Sequence, residues 1–85
     1  MKRKILFVDP SMYKATIAIE YLRDGDHGVR RLCEHRCPLN YNLNNTALWV
    51  KHVATTIDAE LFIETSGSGS ALMKVVDALY EKEPA

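Results

Sequence analysis

Two short apolar runs, each followed by an acidic residue, constrain the fold of this chain more than any other feature. The first run is Ile5–Val8, which ends in Asp9 and Pro10. The second is Leu61–Ile63, which ends in Glu64. Such short, continuous apolar runs are typical of strands that are buried on both faces of a sheet. If a helix joins the two strands, they lie parallel and both acids emerge at the same edge of the sheet.

The sequence after the first run predicts a β-hairpin. The segment Thr16–Leu22 contains residues that favour a helix as well as β-branched residues. It is followed by the turn signal Asp24–Gly28, which favours a strand. The returning strand is Val29–Cys37, ended by Pro38. We therefore expect these two strands to pair antiparallel on the other side of the first strand.

The remaining segments predict two amphipathic helices. Asn45 or Thr46 can cap a helix that starts near Ala47. Its buried stripe has helical spacing: Val50, Val53, Ala54 and Ile57. A second helix is expected over Ala71–Lys82, with the buried stripe Leu72, Val75, Val76 and Leu79. The resulting order is β-β-β-α-β-α, an α/β domain with a mixed sheet and helices packed on it.

Composition excludes several classes of protein. Eleven basic and 11 acidic residues give a formal net charge of zero, so the chain as a whole is not a strongly basic nucleic-acid binder, although a local basic patch remains compatible. Its apolar runs fall short of the roughly 18 residues of a membrane helix. The run after the basic residues 2–4 is too short for a signal peptide. We therefore expect a cytoplasmic protein.

The two strand-end acids are the first candidates for chemistry. Ligands of open α/β sheets bind beyond the carboxyl ends of the strands. Carboxylates such as Asp9 and Glu64 are hard oxygen ligands suited to Mg²⁺ or Mn²⁺, and paired ions can promote phosphodiester cleavage. The alternative is that both acids are solvated loop residues. Gly67 and Gly69 follow, either to bind a phosphate at the start of the helix or only to let the chain turn.

A second candidate site is the pattern of Cys33, His35 and Cys37. These residues would share one face of a strand and offer three zinc ligands, with His27 as the nearest candidate for a fourth. The alternative is a pair of reduced thiols on a half-buried strand, beside a histidine that faces solvent. A structural disulfide is not expected without a secretion signal.

The order of elements and the two acidic strand ends resemble a ribonuclease-H-like domain, most closely the nuclease domain of phage terminase large subunits. The resemblance is carried by residues 5–11 with 16–19, and by residues 61–69 with 71–72 and 76–79. It implies a metal-dependent endonuclease related to phage DNA packaging, with DNA as a partner and the host cytoplasm as its location. By resemblance, Asp9 and Glu64 are catalytic and metal-binding. A phosphate of DNA bound by Gly67 and Gly69 near Glu64 would fit such a nuclease.

The chain departs from this family at the third metal ligand. That acid normally comes from a helix after a further strand, and residues 1–85 stop before it. Asp77 is the acid that lies on an apolar stretch of the late helix, so it is the third candidate metal ligand. We therefore expect the domain to be incomplete at the C-terminus. One expectation is that the chain has kept the fold and lost the nuclease activity.

The alternative to a nuclease is a small, non-catalytic regulatory or partner-binding module. Ala47–Glu64 is also similar to the first helix and strand of the histidine phosphocarrier family, but Asn44 and Asn45 lie where that family needs its histidine. If Leu61–Ile63 forms an outer strand, its unpaired backbone groups invite another strand. We therefore expect a homodimer or a partner strand along residues 60–65, unless the C-terminal helix or tail covers this edge.

Overall fold

Four strands form one mixed sheet, and two helices pack against it. The computed structural model describes residues 2–11, 15–38, 42–67 and 69–82. In chain order the elements are β1 (Lys2–Asp9), β2 (Ile17–Asp24), a 3₁₀ turn (Gly25–His27), β3 (Val29–Arg36), α1 (Leu43–Thr56), β4 (Ala59–Ile63) and α2 (Gly69–Glu81). The predicted α/β class and element order are confirmed. The predicted C-terminal tail, residues 83–85, lies outside the described residues.

The order of the strands across the sheet is β3-β2-β1-β4. β2 pairs antiparallel with β1 and with β3, so the predicted hairpin and its position are confirmed. β1 and β4 are parallel, and Val8 is opposite Ile63. The prediction that these two residues lie on adjacent parallel strands is therefore confirmed. The connection from β1 to β4 runs through β2, β3 and α1, which gives the long crossover that a parallel pair requires.

The core lies between one face of the sheet and both helices. Its sheet side is formed by Leu6, Val8 and Ala18, all fully buried. The predicted stripes of both helices pack there: Val50, Val53 and Ala54 of α1 and Leu72 and Val76 of α2 are buried, whereas Ile57, Val75 and Leu79 are partly buried against them. The helical periodicity of the sequence therefore identified the buried faces.

The opposite face of the sheet is open, which corrects one expectation from the sequence. The run Ile5–Val8 predicted a strand buried on both faces, but Phe7 is 37% exposed and its neighbour on β4, Phe62, is 46% exposed. Burial therefore alternates along β1. The cause is that both helices contribute to the same core cluster on one face of the sheet, so the other face has no covering layer among the described residues.

The start of α1 also differs from the prediction. The helix begins at Leu43, about one turn before Ala47, because the side chain of Asn42 caps it by accepting a hydrogen bond of 2.8 Å from the backbone N–H of Asn45. It ends before Asp58, which adopts the left-handed conformation with φ of 54°. No helix in the described residues is long and apolar enough to cross a bilayer.

Candidate functional site

The parallel pairing of β1 and β4 determines the environment of the two strand-end acids. The backbone N–H of Glu64 donates a 2.9 Å hydrogen bond to the carbonyl oxygen of Val8, so the ladder continues to the residues where both acids stand. Both Asp9 and Glu64 are exposed. The Glu64 carboxylate accepts hydrogen bonds from the backbone N–H of Ser66 at 3.1 Å and from its hydroxyl at 2.9 Å. These bonds lower the pKa of Glu64, which favours the ionised form that a metal would need.

Asp77 lies apart from this pair. Side chains alternate between the faces of a strand, so Asp9 and Glu64 continue the open face. Asp77 is exposed on α2 and borders a groove with Leu61 and Ile63, which belong to the opposite, helix-covered face. Within the described ranges, these three acids do not form a group of ligand atoms close enough to hold one ion. The role of Asp77 as a third ligand stays a prediction.

The glycines after Glu64 have a clear part in the turn. Gly67 has φ of 62°, a conformation that favours glycine. Gly69 is buried at the start of α2, where a Cβ atom would overlap the backbone carbonyl of Glu64. The Gly69 N–H donates to the carbonyl oxygen of Ser66 at 3.3 Å. The structure thus supports the turn interpretation, and phosphate binding by these glycines stays a prediction.

A second site lies between β2 and β3 and joins three side chains of different chemistry. Glu20 pairs with Cys33 across the two strands, next to a register shift between Glu20 and Tyr21. Glu20 Oε1 lies 3.3 Å from Cys33 Sγ and 3.1 Å from His35 Nε2, and Sγ and Nε2 are 3.4 Å apart. Glu20 is buried, His35 is half-buried and Cys33 is exposed. This cluster of an oxygen, a sulfur and a nitrogen donor can hold a metal ion.

Burial, hydrogen bonds and a nearby charge shift the pKa values of Glu20 and Cys33 in this cluster. Burial of Glu20 opposes its ionisation, but hydrogen bonds from His35 and Cys33 and the nearby charge of Lys4 outweigh burial and lower the pKa of Glu20. Lys4 Nζ lies 3.7 Å from Oε2 of the same carboxylate. The hydrogen bond to Glu20 raises the pKa of the Cys33 thiol. Glu20 is therefore an anion that accepts hydrogen bonds from its β3 neighbours.

The zinc interpretation of the sequence changes in one ligand. Cys33 and His35 share a face, but Cys37 is not part of the cluster. Its Sγ is buried and lies 3.9 Å from the Thr46 hydroxyl. Residues four apart on an extended strand are about 13 Å apart, too far to share one ion. Glu20 takes the place of Cys37 as the third potential ligand. The sequence signal that could have identified it is an acidic residue within the otherwise apolar segment 17–22.

Comparison with known proteins gives no match to a family model, a curated protein or a solved structure. Evidence on function therefore comes from the strand-end acids, the Glu20–Cys33–His35 cluster and the surfaces that the sheet leaves open.

Proposed function

We propose that this chain is a ribonuclease-H-like domain that binds Mg²⁺ or Mn²⁺ at Asp9 and Glu64 and, through the ion, a phosphate of DNA. The observation that carries this proposal is the register of β1 and β4, in which Val8 and Ile63 are opposite each other and the acids come next. Neighbouring strands lie about 4.8 Å apart, so two carboxylates at this edge can reach one ion. Carboxylate oxygens suit both metals.

The topology of the sheet supports the relationship to nucleases of phage DNA packaging. A β-hairpin beside a central strand, followed by a helix and a parallel strand that ends in an acid, is the arrangement that the resemblance implies. The order β3-β2-β1-β4 is compatible with it. Asp9 and Glu64 at the strand ends are then the site at which the metal-dependent chemistry of such nucleases can be tested.

Two carboxylates provide enough donors to recruit one ion but fewer than a two-metal phosphodiesterase site uses. An ion held there would act as a Lewis acid on a phosphate oxygen. Asp9 and Glu64 would hold the ion, while hydrogen bonds from Ser66 keep the Glu64 carboxylate ionised. We therefore propose metal-dependent phosphate binding as the activity of this chain, with cleavage dependent on a further carboxylate at this edge of the sheet.

The test is a titration with Mg²⁺ and then with Mn²⁺, monitored by amide NMR. The Cys33→Ser variant is used as the background, so that the cluster between β2 and β3 does not contribute to binding of the added ion. We expect selective shifts and broadening of the amide signals of residues 8, 9 and 63–66, and their loss in Asp9→Asn. Asp26→Asn, in the turn between β2 and β3, is the matched control. Asp77→Asn tests the third ligand directly. An Mn²⁺ affinity that Asp9→Asn leaves unchanged would remove the proposed site.

A second candidate function is that of a non-catalytic module that binds another strand. β4 is the outer strand of the sheet, and its solvent-facing side has no strand partner among the described residues. Because the N–H of Glu64 bonds to β1, the alternation of a parallel ladder directs the N–H groups of Leu61 and Ile63 outward. We propose that a second copy of the chain, or a partner strand, docks along residues 60–65.

Hydrogen exchange measured at several protein concentrations tests this docking and contains its own control. The amides of Phe62 and Glu64 face β1 and are expected to be protected at every concentration. The amides of Leu61 and Ile63 are expected to gain protection only as the protein associates, in parallel with a rise in mass by sedimentation at tens of micromolar. A strict monomer in which Leu61 and Ile63 are already protected would show that the edge is covered within the chain.

A further inference from the structure

The cluster of Glu20, Cys33 and His35 is separate from the strand-end acids and has a different donor chemistry. We propose that it is a zinc site in which Glu20 Oε1, Cys33 Sγ and His35 Nε2 are the protein ligands. The proposal rests on the geometry of the cluster, its donor set, its charge and its access to solvent. It does not depend on nuclease function.

The spacing of the three donor atoms is close to that of a zinc coordination shell. The separations are 3.1 Å for oxygen to nitrogen, 3.3 Å for oxygen to sulfur and 3.4 Å for sulfur to nitrogen. Zinc bonds of about 2.3 Å to sulfur and about 2.0–2.2 Å to nitrogen and oxygen, at tetrahedral angles, put neighbouring ligand atoms roughly 3.3–3.6 Å apart. Outward movements of a few tenths of an ångström would therefore admit the ion.

The donor types decide which metal fits. A thiolate and an imidazole favour zinc and cobalt over Mg²⁺, which prefers oxygen ligands throughout. Binding requires the Cys33 thiol to lose its proton to solvent. It also requires His35 to carry its proton on Nδ1 instead of on Nε2, from which it donates to Glu20 in the metal-free protein, so that the lone pair of Nε2 is free for the ion. The charges of Zn²⁺, the Glu20 carboxylate and the Cys33 thiolate then sum to zero. A neutral complex lowers the cost of holding the ion beside a buried carboxylate.

The surroundings orient the buried ligand and leave the ion accessible. Lys4 Nζ lies 3.7 Å from Glu20 Oε2, so this positioning residue holds one carboxylate oxygen while the other points to the cluster. The Glu20 side chain is 9% exposed and that of His35 is 29% exposed, and Cys33 is exposed. The site therefore lies at the surface, and water can supply the fourth ligand, as in zinc sites with an open position.

Cobalt spectroscopy tests the site directly, because tetrahedral Co²⁺ bound to a thiolate gives visible d–d bands and a near-ultraviolet charge-transfer band. We expect both in the reduced wild-type protein, and we expect one equivalent of Zn²⁺ to remove them. Cys33→Ser should remove the charge-transfer band and His35→Gln should weaken Co²⁺ binding at least about 10-fold. The matched controls Cys37→Ser and His27→Gln should keep the wild-type spectrum.

Two further variants keep this result distinct from the strand-end proposal and from loss of folding. Asp9→Asn should bind Co²⁺ like the wild type, whereas Glu20→Gln should weaken binding while its NMR spectrum shows a folded chain. If Glu20→Gln does not fold, the exposed Cys33 and half-buried His35 variants decide the outcome. The proposal is overturned if the wild type gives no thiolate band, or if Cys37→Ser loses it while Cys33→Ser retains it.

Discussion

Replacing Gly69 with alanine tests how closely α2 approaches β4. An alanine in a helix is normally more stable than a glycine by about 1 kcal/mol. At this position, however, the added Cβ atom would overlap the carbonyl group of Glu64 and would lie 3.4 Å from Pro10 Cγ. The overlapping group is backbone, so a side-chain rotation cannot relieve the contact. The start of α2 must move away from the end of β4, and the strand end that bears Glu64 must adjust with it.

The size of the effect follows from the two opposing contributions. Overpacking costs about 1–3 kcal/mol and sometimes more, and a contact between backbone groups belongs at the upper end. After the usual gain from alanine, we expect Gly69→Ala to lower the free energy of unfolding by about 2 kcal/mol. For a domain of this size that corresponds to a fall in Tm of roughly 8–16 °C.

Thermal and urea unfolding followed by circular dichroism provide the assay, and Gly67→Ala is the matched control. Gly67 has φ of 62° but no atom within 4 Å of an added Cβ, so only the backbone conformation opposes the substitution, at a cost of about 1–2 kcal/mol. We expect Gly69→Ala to be the more damaging change although Gly69 lacks the unusual φ angle. A Gly69→Ala protein as stable as the wild type, or more stable than Gly67→Ala, would refute the close approach.

Three other predictions concern the core and the cluster between β2 and β3. Leu6→Ala removes a fully buried side chain and should lower the free energy of unfolding by about 3–5 kcal/mol in urea titrations. Because the pKa of Glu20 is lowered by folding, its stabilising contribution is complete above the unfolded-state pKa and is lost as the pH falls through the folded value. In chelator-treated protein, the Tm of Glu20→Gln should therefore fall less on acidification than the Tm of the wild type. An equal fall in Tm would contradict this assignment. Iodoacetamide should modify exposed Cys33 before buried Cys37, and Zn²⁺ should slow only the first reaction, as mass spectrometry can measure.

Local patterns in the sequence determined the elements and much of their pairing. The turn signal Asp24–Gly28 was enough to place β2 beside β3, and two apolar runs joined through a helix were enough to predict the parallel pair that contains Val8 and Ile63. Both signals depend on residues close in the chain or on a simple period, which each element expresses by itself. The acids that follow the paired strands were predictable for the same reason.

Only the tertiary structure decided which face of the sheet is covered and which residues form the second cluster. The composition of β1 cannot distinguish burial on two faces from burial on one, because the answer depends on where both helices dock, and here Phe7 remains on the open face. Glu20 meets Cys33 and His35 through strand register, which includes a shift beside Glu20. The spacing in the sequence suggested Cys37 as a ligand, but the extended strand separates Cys37 from Cys33. Pairing between β2 and β3 instead brings Glu20, which is distant in the chain, into contact with Cys33.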